Sequence, residues 1–155
     1  GNADAELLPD FLDEGIELMA DRDFVLGSRY LSKKINYKPS FMRQSYSKVL
    51  MLIFRILFLN SFSEVGVIKM FKSDWGKRFA KLSKGTNFDW QVEIDAYAVM
   101  TKLKTAEIGV NYKQVRPTAD SKVNVFKDTW RYIKVLSKYS PKIFLNKLGL
   151  FSVKF

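Results

Sequence analysis

Asn2, Asp4 and Glu6 fall at every second position of the opening Asn2-Ala3-Asp4-Ala5-Glu6. On an extended turn alternate side chains share a face, so two carboxylates and an amide can converge on one hard cation. A divalent ion held there bridges diphosphate oxygens and stabilises a departing nucleotide. The same triplet also serves as an acidic helix N-terminus, where carboxylates meet the positive end of the helix dipole. Farther on, Gly27-Ser28-Arg29-Tyr30 sets a guanidinium just after a short apolar run. Its fork donates two hydrogen bonds at once and suits phosphate, and a salt bridge uses the same geometry. A second basic loop, Arg116-Pro117-Thr118-Ala119-Asp120-Ser121-Lys122, opens a helix that Ser121 can cap and whose N-terminus attracts anions. Arg43, just ahead of a long apolar segment, is a further phosphate candidate. Glu93 stands beside the face that Trp90, Ile94 and Ala98 would share on a helix, a position that solvated glutamates also occupy.

Missing residue types narrow the chemistry. The 155 residues hold no cysteine and no histidine. That removes disulfides, thiolate nucleophiles, Ser-His-Asp hydrolysis and histidine-ligated zinc. A metal would be held by oxygen, which points to Mg2+ or Mn2+. Acid–base work falls to carboxylates, lysines and tyrosines. The net charge of +10 is unevenly spread. Residues 1–26 carry eight acidic side chains against Arg22 alone, whereas the remaining 129 carry 25 basic and eight acidic ones. So basic a body seeks polyanions: anionic lipid, phosphorylated substrate or nucleic acid. Nucleic acid is set aside, because the aromatics occupy core-like positions and no RNA- or DNA-binding motif occurs.

The elements that must position these residues alternate. A helix over Pro9–Ala20 begins at a proline with early acidic residues, and a strand Phe24–Leu26 follows, closed by Gly27. After a polar loop to Ser40, Phe41–Leu59 reads as a helix apolar nearly all round, broken by Arg55. It is too short and too charged at its centre for a membrane span, and suits burial or a lipid interface. A strand Val65–Phe71, a helix Lys72–Ser83, a loop Lys84–Asn87, a helix Trp90–Lys102 and a strand Glu107–Tyr112 complete the middle. The last helix, Val123–Tyr139, ends at Ser140-Pro141 and carries a basic stripe (Lys127, Arg131, Lys134, Lys138) beside an apolar one (Val123, Phe126, Trp130, Ile133). The order predicts one α/β domain over residues 1–140, built on a mostly parallel sheet, with an apolar and basic tail over 141–155. Ligands of such sheets sit beyond the carboxyl ends of the strands, where the acidic turn and the Gly27–Tyr30 loop would lie.

In their order and spacing these pieces resemble the C-terminal two-thirds of the inverting GT-A glycosyltransferase family that includes dolichol-phosphate mannose synthases and related polyprenyl-phosphate sugar transferases. The family's Asp-Ala-Asp turn and proline correspond to Asn2-Ala3-Asp4 and Pro9, and its Gly-Ser-Arg-Tyr to Gly27–Tyr30. Its arginine-led interface helix corresponds to Arg43 within Phe41–Leu59. Gly66-Val67-Ile68-Lys69 is a weakened form of its next strand, and Trp90–Asp95 matches its glutamate-centred helix. Its Tyr-x-x-x-Arg-x-x-Gly-x-Ser-Lys run is met by Tyr112, Arg116, Ser121 and Lys122, with Ala119 in place of glycine.

The resemblance implies a GT-A-like fold, incomplete at its N-terminus, with amphipathic interface helices at 41–59 and 123–139. It implies sugar transfer from a nucleotide-sugar donor to a membrane acceptor such as a polyprenyl or dolichyl phosphate. Asp4 would hold the metal with Glu6 as second ligand, and Asn2 and Arg29 would sit beside the nucleotide diphosphate. Arg29, Arg43, Arg116, Ser121 and Lys122 would grip the acceptor phosphate, and Glu93 joins Asp4 as a catalytic candidate. The acceptor phosphate is itself anionic, so the absence of histidine does not count against this chemistry. Asn2 in place of aspartate and Ala119 in place of glycine depart from the pattern, and the part that binds the base and ribose is not among these residues. The expected partners are therefore a membrane surface on its cytoplasmic face and an N-terminal segment or second copy. The alternative is a non-catalytic or split relative that binds lipid phosphate or a partner.

Overall fold

Phe24–Ser28 forms the central strand, β1, in a computed structural model that describes residues 9–32, 41–60, 62–65, 68–85, 88–110 and 125–151. Side chains are described for these except 9, 10, 41–44, 46, 88 and 125–128. All five residues of β1 are buried, as the uninterrupted apolar run Phe24-Val25-Leu26 requires. The strand passes through Gly27 rather than closing there. A Cβ at Gly27 would stand 2.3 Å from Ile68 Cγ2 and 2.9 Å from Val110 Cγ1, so this glycine answers crowding by neighbouring strands and not a turn.

β1 lies between β2 (Ile68–Phe71) and β3 (Thr105–Gly109). It pairs antiparallel with β2, Leu26 opposite Lys69, and parallel with β3, Leu26 opposite Glu107. The sheet is thus mixed rather than mostly parallel as expected: β1 and β3 pair in parallel, but β2 runs against β1. Alternation sends Val25, Ile68, Met70, Ala106 and Ile108 to one face, under helix α1 (Pro9–Leu18), whose Phe11 joins them. This side is dry. Phe24, Leu26, Lys69, Phe71 and Glu107 share the other face and look toward the main core.

That core takes side chains from α2 (Phe41–Phe58), α3 (Ser73–Leu82), α4 (Phe88–Met100) and α5 (Val125–Lys147). Among the described residues the architecture is α/β, five helices about a three-stranded mixed sheet. α4 is its centre: every residue from Val92 to Ala96 is buried, two carboxylates included. α2 is amphipathic rather than buried all round. Met51, Phe54 and Phe58 enter the core, while Val49, Leu52, Ile56 and Leu59 stay exposed on one stripe. Among the described residues no helix is long and apolar enough to cross a membrane.

α5 does not end at Ser140-Pro141; it continues through Pro141 to Lys147. An internal proline removes one ladder hydrogen bond and costs about 3 kcal/mol. Burial offsets it, because Tyr139, Ile143 and Asn146 follow one another at helical spacing on the packed face. Burying Ile143 alone contributes about 1.5–3 kcal/mol, and Lys147 Nζ donates to the Leu59 carbonyl just past the end of α2. Tyr132 Oη, nearer the start of α5, donates to the Leu50 carbonyl at 3.4 Å, so the two helices run side by side in one sense.

Candidate functional site

Three chain segments meet at the carboxyl end of β1. Arg29 follows the strand directly, and β3 leaves the sheet alongside it, with Val110 N–H donating to the Ser28 carbonyl at 2.9 Å. The first turn of α1 lies level with the same edge, since a Cβ on Gly27 would stand 3.2 Å from Phe11 Cε2. α2 reaches this edge through Ser47, whose hydroxyl is 3.1 Å from Tyr30 Oη. Arg43 occupies the helical position one turn before Ser47; its side chain lies outside the described residues. Asn2, Asp4, Glu6, Arg116, Ser121 and Lys122 also lie outside them. Of the expected site, side chains are therefore described for Arg29 and Glu93. No group of His, Cys, Asp or Glu among the described residues is arranged to hold a metal ion.

Arg29 is engaged by Glu64, a residue the sequence reading passed over. Arg29 Nε donates to Glu64 Oε1 at 2.7 Å and the backbone N–H of Arg29 to Oε2 at 2.8 Å; Nη2 also pairs with Oε1. Glu64 is only 4% exposed, so this is a held side chain and not a loose surface pair. Next to it Ser63 donates its N–H (2.8 Å) and its hydroxyl (2.9 Å) to Glu107 Oε1, and also reaches the Ser28 hydroxyl at 2.7 Å. Ser28 Oγ accepts the Tyr30 N–H at 3.2 Å. The strand end, the 62–65 segment and β3 are thus tied by polar groups on the core side of the sheet.

Deeper in the same region, Lys69 Nζ lies 3.5 Å from Asp95 Oδ2 and 3.5 Å from Gln91 Oε1. Asp95 is 0% exposed, and neither of its carboxylate oxygens accepts a hydrogen bond. Burial pushes its carboxyl up to about 7 against the opposing pull of Lys69, and Glu107 adds to the rise. Burial likewise lowers the Lys69 ammonium, against the pull of Asp95 and Glu64.

Glu93 faces the opposite way. Its Oε2 accepts from Ser83 Oγ (2.6 Å), Lys84 N (3.1 Å) and Gly85 N (3.0 Å). Its Oε1 accepts from Lys138 Nζ at 3.3 Å and from Tyr139 Oη. Burial, the largest influence, favours the neutral acid, but the donors Ser83, Tyr139, Gly85 and Lys138 together hold the carboxyl below its ordinary value. Two carboxylates separated by one residue on a helix point to nearly opposite sides. Glu93 therefore ties the loop after α3 to α5, on the side of α4 away from Asp95. Lys138, expected in the basic stripe of the last helix, is one of its donors.

The burial of Lys69 was open to sequence reasoning: Lys69 must share a strand face with Phe71, which is core. Glu64 gave no periodic signal, since it lies in an irregular segment. No family model matches the chain, and neither a curated protein nor a solved structure gives a match.

Proposed function

We propose that the chain is the acceptor-side part of a GT-A-type glycosyltransferase that moves a sugar from a nucleotide-sugar to a polyprenyl phosphate at a membrane surface. The observation that carries this reading is the convergence of the Gly27-Ser28-Arg29 strand end, the start of α1 and the exit of β3 at one sheet edge. In sequence the acidic turn precedes α1 and the Arg116–Lys122 loop follows β3, the two elements that reach this edge; the turn and the loop themselves lie outside the described residues. Asp4 and Glu6 would hold Mg2+ or Mn2+, a hard-oxygen donor set suited to either ion. The ion would supply charge stabilisation at the leaving diphosphate. Arg29, with its guanidinium held by Glu64, offers a positioned cation to a phosphate. Exposed Leu52 and Ile56 of α2, with Trp130 and Phe144 of α5, supply apolar area on a basic body, which suits an anionic lipid surface.

A non-catalytic lipid-phosphate binder is the second reading, favoured by the five donors that hold Glu93 in a structural joint. Co-sedimentation with vesicles separates these outcomes from no function of this kind. Binding should rise when polyprenyl phosphate replaces phosphatidylglycerol at equal charge, and Arg29→Ala with Arg116→Ala should abolish that preference. Equal binding to both vesicles overturns the acceptor assignment. Transfer of labelled sugar, lost on Asp4→Ala, separates the enzyme from the binder.

A further inference from the structure

The polar groups between α4 and the sheet form a layer of five ionisable side chains near the end of β1, three of them with buried side chains (Glu64, Lys69, Asp95) and two half-buried (Arg29, Glu107). Arg29 and Lys69 are its cations, and Glu64, Asp95 and Glu107 its carboxylates. Fully ionised, the layer holds one negative charge too many. Glu64 is matched by the Arg29 guanidinium, and Glu107 accepts both the N–H and the hydroxyl of Ser63. Asp95 alone of the three accepts no hydrogen bond, and it is completely buried. A bare, unsolvated carboxylate oxygen is expensive to keep charged, whereas a protonated one restores neutrality to the layer.

We propose that this layer is a one-proton switch: Asp95 carries a proton while α4 is packed on β2, and loss of that proton loosens the contact beside Arg29. The groups facing Asp95 are consistent with that role on every side. Lys69 approaches from β2, and Glu107 acts on it from β3. Glu64, from the segment before β2, acts on Lys69 and so competes for the same ammonium. Tyr132 of α5 feels the charge of Asp95, and burial keeps that phenol neutral. On α4 itself Gln91 is neutral, and Glu93 is spent on the far side. Among the described residues Lys69 is thus the one cation that faces Asp95 when its proton leaves. Lys69 is left to serve two carboxylates, and water entering the layer is the remaining way to solvate the second. Because Glu64 also holds both the side chain and the backbone of Arg29, the charge state of the layer is communicated to the strand end.

The test uses the whole 155-residue chain with 13C-labelled aspartate carboxyls, followed by NMR, together with amide exchange along α4 and β2. One carboxyl should titrate near neutrality and vanish in Asp95→Asn. Exchange of α4 amides should accelerate roughly tenfold beyond the intrinsic rate across that titration, the equivalent of one pKa unit of coupling. Removing the cation with Lys69→Met should move the Asp95 midpoint upward by about one unit or more. An Asp95 carboxyl that titrates as a solvated aspartate overturns the proposal. So does a neutral-range titration with no extra exchange on α4, or a midpoint indifferent to Lys69. These readings come from the wild-type and Lys69→Met chains, so they stand even where Asp95→Asn fails to fold.

Discussion

Glu93 and Asp95 sit two residues apart on the same buried helix and are treated in opposite ways. Glu93 collects five donors from two other segments and is held ionised below its ordinary value. Asp95 collects one lysine at 3.5 Å and no hydrogen bond, and is pushed up to about 7. Burial raises both carboxyls, and raises Asp95 most because it lies deeper, so burial alone does not set the opposite directions of the two shifts. Donors do: an N–H or O–H aimed at a carboxylate replaces the water it lost, and a nearby charge alone replaces it poorly. One face of α4 is therefore a fixed joint and the other an adjustable one.

Glu93→Ala is the largest expected break in that contrast. It strands the Tyr139 hydroxyl and the loop amides, and should cost about 3–5 kcal/mol of unfolding free energy in urea titrations. A loss below about 1 kcal/mol would mean that the two carboxylates are not different in kind. Asp95→Asn at neutral pH should cost only about 1 kcal/mol, because the amide resembles the protonated acid it replaces. Replacing the pair outright, Lys69→Met with Asp95→Leu, should leave stability within about 1 kcal/mol of wild type or raise it, since two desolvated charges disappear together.

The pH profile sharpens the contrast by sign. The Asp95 pKa is raised from 3.8 to about 7, so its contribution is fully present below 3.8 and is lost as pH rises through about 7. The Glu93 pKa is lowered from 4.5, so its contribution is present above 4.5 and lost as pH falls through the depressed value. Thermal melts across that range should thus give a maximum, with its alkaline flank flattened in Asp95→Asn and its acid flank in Glu93→Gln. Smallest of all, Leu52→Ser on the exposed stripe of α2 should change stability by no more than about 0.5 kcal/mol, while weakening vesicle binding.

Much of the fold was legible. Seven of the eight described elements were expected within a few residues of both their ends, because apolar periodicity and proline or glycine punctuation are local properties. The exceptions are instructive. Pro141 read as a stop, but Ile143 and Asn146 find a buried surface beyond it, and local sequence does not report that surface. Gly27 read as a strand end, and its reason turned out to be Ile68 and Val110, far away in sequence.

The site divides the same way. Composition alone excluded thiolate and imidazole chemistry and set the basic body, and the end of β1 set which sheet edge Arg29 reaches. Which carboxylate is satisfied was decided elsewhere. Glu64 meets Arg29 across 35 residues, Tyr139 meets Glu93 across 46, and Lys69 meets Asp95 from a different element. Side-chain type states which hydrogen bonds a residue can make. Whether a buried one makes them depends on donors that only the tertiary packing brings, and for Glu93 it brought five while for Asp95 it brought one lysine, no nearer than 3.5 Å.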